Sequence, residues 1–245
     1  MKDTEAEKLR YDKRALKQGD TPYKEKIADW HLTPIQKYNE LITENLESKH
    51  KVLEIGAGTG NNTRILLETG AQVLATDVSL ESLKYINRTL GEFKNLKTKL
   101  MDMQELEFKS NSFDFVVSAG SLSYGDNDLV MNEIYRVLKK DGKFICVDSL
   151  NHNPIYRINR RIRVFMRQRS KLTVKNMPTL QLIQNYEAKF GRTKAYYYGS
   201  FLWLMPILSL VIGKARAAYF SNLVDKVIKA KKLAFKFVLI VYKIK

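Results

Sequence analysis

Short apolar runs alternate with amphipathic segments along most of the chain, and this alternation predicts an α/β fold. The opening residues read as helical. Thr33 and Pro34 then form an N-cap and first helical position for a helix that runs to about Glu47. A buried strand follows over 51–55, a helix over 60–69, a strand over 72–76, and a helix capped by Ser79, where Ser82 fails to complete a capping box. Strands three and four fall at 96–100 and 113–118. A helix over 128–138 and a turn at Asp141 and Gly142 lead into strand five at 143–148.

Beyond this point the pattern loosens. Residues 155–168 predict a helix with Ile155, Ile158, Ile162, Phe165 and Met166 on one stripe and Arg157, Arg160, Arg161, Arg163 and Arg167 outside it. A helix over 180–190 precedes an extended aromatic segment at 193–199, and 235–244 reads as a last strand. No repeat or linker interrupts the chain, so 1–245 is expected to be one domain with three parts. These are a helical cap at 1–48, a half at 49–150, and a basic half at 151–245 carrying an insertion at 200–234.

Charge divides the halves more sharply than hydropathy does. The chain has 42 Lys and Arg against 26 Asp and Glu, a formal charge of +16. Residues 1–150 hold 22 basic and 24 acidic side chains, whereas 151–245 hold 20 basic and two acidic ones, Glu187 and Asp225. The C-terminal half is therefore expected to meet an anion: a phosphorylated substrate, an acidic membrane surface or nucleic acid. A solvated basic face is the plain alternative. Cys146 is the only cysteine, and histidines stand at 31, 50 and 152, so neither an internal disulfide nor a zinc site is expected. Residues 1–19 carry charge throughout and no secretory signal is read there, which places the expected location in the cytoplasm. The longest apolar stretch, 201–213, is short of the roughly 20 residues that span a bilayer.

The chemistry concentrates between the first strand and the helix after it. Gly56, Ala57, Gly58, Thr59 and Gly60 give the spacing G-x-G-x-G, with Asn61 standing where a dinucleotide fingerprint would need its last glycine. Glycine allows tight turning and close ligand approach, and free amides at the helix start attract anions. Asp77, at the end of strand two, is placed to accept hydrogen bonds from two ribose hydroxyls. On these residues the chain resembles the class I S-adenosylmethionine-dependent methyltransferases, in particular the type 11 group, over about 49–148.

The resemblance implies a Rossmann-like sheet of seven strands, mostly parallel with an antiparallel last strand and helices on both faces. It also implies that S-adenosylmethionine is the cofactor. Glu54 and the glycine turn would meet its methionine half, and Asp77 with Val78 its ribose. Asp102 and Met103 would flank its adenine, and Ser118, Ala119 and Gly120 line its other side. Each acid has a plainer reading: a strand-end charge for Glu54, a helix cap for Asp77, a turn residue for Asp102. Asp114 is read as a local structural acceptor, and Tyr85 and Met131 as core.

Methyl transfer asks mainly that a nucleophile be held in line and water excluded. His152, just after strand five, is the candidate base for a hydroxyl acceptor, because imidazole exchanges protons near neutral pH. Tyr124 is a candidate substrate contact. The N-terminal segment with Tyr11, Arg14, Trp30 and His31 is expected to close over the cofactor as a lid.

The residues from Asp148 to Arg157 are similar to those of methyltransferases encoded with bacterial surface-polysaccharide pathways, which implies O-methylation of a sugar in a precursor. The acceptor would be a small-molecule or lipid-linked anionic glycan. Peripheral membrane contact is expected through 157–175 and through 201–232, where Lys214, Arg216, Lys226, Lys229, Lys231 and Lys232 rim an apolar insertion. That insertion can equally pack on the sheet or form a dimer seam. RNA methylation and non-catalytic binding of lipid or nucleic acid are the alternatives. The Asn/Asp-Pro-Pro-Tyr/Phe signature of nucleobase amino-methylation is replaced here by Ser118-Ala119-Gly120-Ser121-Leu122.

Overall fold

A computed structural model describes residues 2–17, 32–166, 169–227 and 231–244. Seven strands form one sheet in the order β3-β2-β1-β4-β5-β7-β6: β1 (Lys51–Ile55), β2 (Gln72–Asp77), β3 (Leu96–Leu100), β4 (Phe113–Ala119), β5 (Leu138–Ser149), β6 (Gly191–Tyr198) and β7 (Lys236–Lys243). The first five run parallel, while β7 lies antiparallel between β5 and β6. This is the Rossmann-like arrangement, with an antiparallel last strand, that the resemblance implies. Central β1 and β4 are apolar because helices cover both faces, whereas the outer strands β3 and β6 carry Lys97, Lys99, Arg192 and Lys194, charges suited to an uncapped sheet edge.

Two apolar layers hold the helices on the sheet. On one face α2 (Leu32–Asn45), α3 (Thr63–Glu68) and α4 (Leu80–Leu90) bring Tyr38, Ile42, Leu66 and Ile86 against Val52, Val73, Phe115 and Ile145. On the other, α5 (Asn127–Val137) and α8 (Leu180–Phe190) bring Ile134, Tyr186 and Phe190 against Leu53, Val116, Phe144 and Cys146. Tyr85 and Met131 are buried as read. Asp114 accepts from the Lys51 backbone N–H and from Lys139 Nζ, a structural role that ties β1 and β5 to β4.

Several boundaries move. Helix α2 begins at Leu32, so Thr33 lies inside it and is not its cap. Helix α3 starts at Thr63 because Gly60, at φ +79°, keeps the preceding turn left-handed. Strand β5 starts at Leu138, five residues early. Leu138 pairs with Phe113, Asp141 takes φ +62°, and the register shifts before Phe115 meets Lys143.

The helix α6 (Pro154–Phe165), capped by Asn153, turns its apolar stripe outward. Ile155, Ile158, Ile162 and Phe165 are exposed, while Tyr156 and Arg160 face inward. Arg160 is held inside by the Leu150 carbonyl and Asn151 Oδ1, and burial pulls its pKa down to about 10. Arg167 lies outside the described residues. A short helix, α7 (Lys171–Lys175), appears where no element was predicted. Between β6 and β7 stand α9 (Met205–Ile212) and α10 (Lys214–Val227), so the insertion lies where it was read. Tyr156 of α6, Leu202, Met205 and Ala217 form a separate small core, fastened by Tyr156 Oη donating to the Gly199 carbonyl at 2.9 Å.

Candidate functional site

In an open parallel sheet, the strands leave a crevice at their C-terminal ends where the connections diverge to opposite faces. Here that point lies between β1 and β4, and a cavity of about 280 Å³ opens there. Its wall is built from the loops after β1, β2, β3 and β4.

The loop after β1 is shaped by three glycines in the left-handed region, Gly56, Gly58 and Gly60. They do different work. A Cβ on Gly56 would stand 2.3 Å from Ser121 Cβ, so this glycine lets the loop after β4 close against the loop after β1. A Cβ on Gly60 would press on Ile86 and Leu90, a packing role away from the cavity wall. Gly58 has open space before it and faces the cavity. Its N–H donates to Asp77 Oδ2 at 2.8 Å, and the Ser79 N–H donates to Oδ1 at 2.8 Å. Asp77 therefore clamps the glycine loop to the start of α4 while its remaining lone pairs stay available. Burial raises its pKa, opposed by those backbone donors.

Glu54 sits under the loop, outside the cavity wall. Its carboxyl is buried and accepts from Thr63 Oγ1 at 2.7 Å. Burial drives its pKa up to about 8, against the Thr63 hydrogen bond and with help from nearby Asp77. Ser118 is likewise buried behind the wall, paired with Ser121 Oγ at 2.6 Å. The structure thus brings Gly56, Ala57, Gly58, Asp77, Val78, Asp102, Met103, Ala119, Gly120 and Tyr124 to the cavity. It sets Glu54, Gly60 and Ser118 one layer back.

Asp102 is braced by Gln104, whose backbone N–H donates to Oδ1 at 2.9 Å and whose side chain donates to both oxygens at 3.1 Å. Gln104 Oε1 in turn accepts from the Asp126 N–H, locking the loops after β3 and β4 together. Asp148, passed over in the sequence, is buried and staples the end of β5 to the same region by accepting from the Leu122 N–H at 3.0 Å. Burial raises its pKa to about 6. Lys8, Asn62, Met101 and Gln104 also line the cavity and were not singled out, as do Thr59, Asn61 and Ser121, which stood in the quoted motifs without a site role. Only their placement beside the glycine turn and the strand ends could have suggested them.

The N-terminal helix α1 (Lys2–Lys17) lies over the opening. Tyr11 lines the cavity and meets the Tyr124 ring edge to face at 5.5 Å, Arg10 Nη2 donates to Tyr124 Oη at 3.2 Å, and Ser79 Oγ donates to Asp12 at 2.5 Å. Trp30 and His31 lie outside the described residues. His152 does not line this cavity. It lines a second one of about 520 Å³, with Asn151, Arg157, Arg161, Lys171, Val174, Lys175 and Thr179. The two are neighbours, because α7 packs on the 3-10 turn Leu122–Tyr124 that carries Tyr124.

Residues 53–146 match the family model described as a methyltransferase domain. That stretch belongs to the methyltransferase family. The chain is 29% identical over 140 residues to an uncharacterized methyltransferase of Schizosaccharomyces pombe, covering 54% of each chain. It is 32% identical over 125 residues to a sterol 4-C-methyltransferase of Caenorhabditis elegans, covering 49% of this chain and 37% of that one. The chain thus spans about half the length, or less, of these curated relatives. Among solved structures, the geranyl diphosphate C-methyltransferase of Streptomyces coelicolor superposes with a TM-score of 0.60 at 13% identity, covering 96% of each chain. The phosphoethanolamine N-methyltransferase 2 of Haemonchus contortus gives 0.60 at 20% identity, over 84% of this chain and 52% of that one.

The residues present fit S-adenosylmethionine, the cofactor of class I methyltransferases. An open glycine turn, a braced carboxylate at the end of β2 and a second after β3 are the donor and acceptor set that an amino acid, a ribose and an adenine would need.

The buried Glu54 carboxyl carries a pH signature. Above pH 4.5 the unfolded chain releases this proton, while the folded chain keeps it until about pH 8. The stability it contributes is full below 4.5 and is lost as pH rises through 8, by an order of a few kcal/mol. Thermal melts of the wild type and of Glu54→Gln between pH 5 and 8 should show the wild type losing stability relative to the variant as pH rises. Parallel pH profiles would contradict a neutral buried Glu54.

Proposed function

We propose that the chain is an S-adenosylmethionine-dependent methyltransferase that methylates an oxygen of a sugar in an anionic surface-polysaccharide precursor. The observation that carries this reading is the adjacency of two unlike cavities, one lined by the glycine turn, Asp77 and Tyr124, the other by His152 and four Arg or Lys side chains, where α7 of the second packs on the turn that carries Tyr124.

The cofactor, when bound, supplies an activated methyl group. The chain's own residues then have three tasks. Asp77, Val78, Asp102 and Met103 hold the donor, with the glycine turn fixing its depth. Tyr124, on the wall beside α7, touches the acceptor. His152 takes the hydroxyl proton as the oxygen attacks. Helix α1, with Tyr11 over the opening, keeps water out. Glu54 and Ser118 act by holding the loop that the cofactor touches.

The acceptor assignment draws on the notably basic C-terminal half and on the residues from Asp148 to Arg157. Relatives of this domain carry names with diverse acceptors, including a sterol, ubiquinone and menaquinone precursors, and geranyl diphosphate. An apolar or diphosphate-bearing acceptor is consistent with that range.

The reading includes docking to an anionic membrane surface from the cytoplasmic side through 157–175 and 201–232. No helix among the described residues is long and apolar enough to cross a membrane. Phe165, Leu210 and Val211 are 89%, 88% and 79% exposed on α6 and α9, beside Arg161, Arg163, Lys214 and Arg216. Lys229 lies outside the described residues, as does the side chain of Lys226. Large apolar side chains rimmed by cations suit the boundary between anionic headgroups and acyl chains, where each cation contributes about 1 kcal/mol.

His152→Ala should lower turnover on a lipid-linked or nucleotide-linked glycan about 10²-fold and leave cofactor affinity unchanged. Methyl-label transfer to extracted glycan precursors measures this, with total RNA as the parallel substrate. Label entering RNA alone, or an unaltered rate in the variant, would overturn the assignment. Sedimentation with phosphatidylglycerol vesicles should carry the protein down at low salt, and Phe165→Ser with Leu210→Ser should abolish it. Wild-type protein that stays in solution would contradict docking.

A further inference from the structure

Helix α6 carries three faces with different fates. Tyr156 and Arg160 point into the small core, Ile155, Ile158, Ile162 and Phe165 lie exposed, and Arg157 and Arg161, one turn apart, border the second cavity. From the facing side Lys171 and Lys175, also one turn apart, border it from α7. Like charges four residues apart repel by a few tenths of a kcal/mol on a helix, and here two such pairs are set around one hollow.

Nothing in the hollow answers that charge. Its lining contains no carboxylate, and among the described residues none of these four cations has an acidic partner. The four side chains are exposed to solvent within the concavity, so each keeps free donors. In the first half, where acidic side chains are near, cations are paired, as Arg136 with Glu133 and Lys139 with Asp114.

The floor is rigid where it needs to be. Asn151 donates from its backbone to the Pro178 carbonyl at 2.7 Å and from its side chain to the Val174 carbonyl at 3.1 Å, joining the end of β5 to α7. Buried Arg160 bonds the Leu150 carbonyl and Asn151 Oδ1, fixing α6 to the same segment. The two cationic pairs are thus held at a set separation by the segment that carries His152.

We infer that this hollow is a diphosphate-binding subsite for the acceptor, with Arg157 and Arg161 on one side and Lys171 and Lys175 on the other. Four cations exceed what a single carboxylate or phosphate monoester would balance, and match a group with several anionic oxygens. The hollow bears no aromatic side chain in its lining, unlike the stacking grooves that hold single-stranded nucleic acid. The subsite deepens the proposed methyltransferase reading, since it would place the diphosphate beside His152 and turn the attached sugar toward Tyr124. It does not depend on the cofactor for its own occupancy.

Calorimetric titration of the full chain with inorganic pyrophosphate at low salt tests it. One saturable site is expected, weakening as salt rises. Affinity should fall at least tenfold in Arg157→Gln/Arg161→Gln and again in Lys171→Gln/Lys175→Gln, with melting temperatures and S-adenosylhomocysteine affinity unchanged in both. Uridine diphosphate and a polyprenyl diphosphate in neutral micelles are the competing arms. Stronger competition by the first assigns a nucleotide-linked source, and by the second a lipid-linked one. Absence of saturable pyrophosphate binding, wild-type affinity retained in both double variants, or displacement by an RNA oligonucleotide that strengthens with its length would overturn the subsite. Failure of S-adenosylhomocysteine to bind, with pyrophosphate still held, would instead sink the methyltransferase reading alone.

Discussion

The carboxylate of Asp77 is the constraint on which the site's geometry rests. It ends β2 and takes one N–H from Gly58 and one from Ser79, so a single buried side chain fixes the glycine loop after β1 against the start of α4. Burying a charged group is costly unless it is satisfied, and here the compensation comes from backbone donors that would otherwise be unpaired. Ser121 and Gly56 complete the clamp from the other side, where the absence of a side chain lets two loops touch. The cavity is the space these restraints leave open.

A second network aligns the floor. Asp148 holds the turn after β4, Gln104 braces Asp102 and the Asp126 backbone, and Asp126 caps α5 by accepting from Asp128 and Leu129. Each loop at the C-terminal edge of the sheet is therefore fixed to its neighbour by a carboxylate or an amide. Such preorganisation is what transfer of an already activated group requires.

The parallel core was legible in the sequence because strands buried on both faces read as continuous apolar runs and the glycine turn marks the first crossover. Helix α8 and strands β1 and β3 fall where periodicity places them. What escaped was set by tertiary contact. The apolar stripe of α6 was legible, but not the inward turn of Tyr156 and Arg160, which depends on a carbonyl and an amide that await the guanidinium inside. Helix α7 is five residues long and leaves no periodic trace. Glu54, Gly60 and Ser118 occupy motif positions without reaching the cavity wall, since spacing along the chain does not tell a wall residue from the one that supports it.

Charge differs between the two halves of the molecule, and the proposed reading assigns donor binding to the near-neutral part and anion binding to the basic part. The methyltransferase reading rests on the first cavity accepting an adenosyl ligand against Asp77. Calorimetric titration with S-adenosylhomocysteine, on the wild type and on a folded Asp77→Ala variant, measures this directly. The account predicts one site per chain in the wild type and at least tenfold weaker binding in the variant. Absence of binding in the wild type, or equal affinity in both, would contradict it.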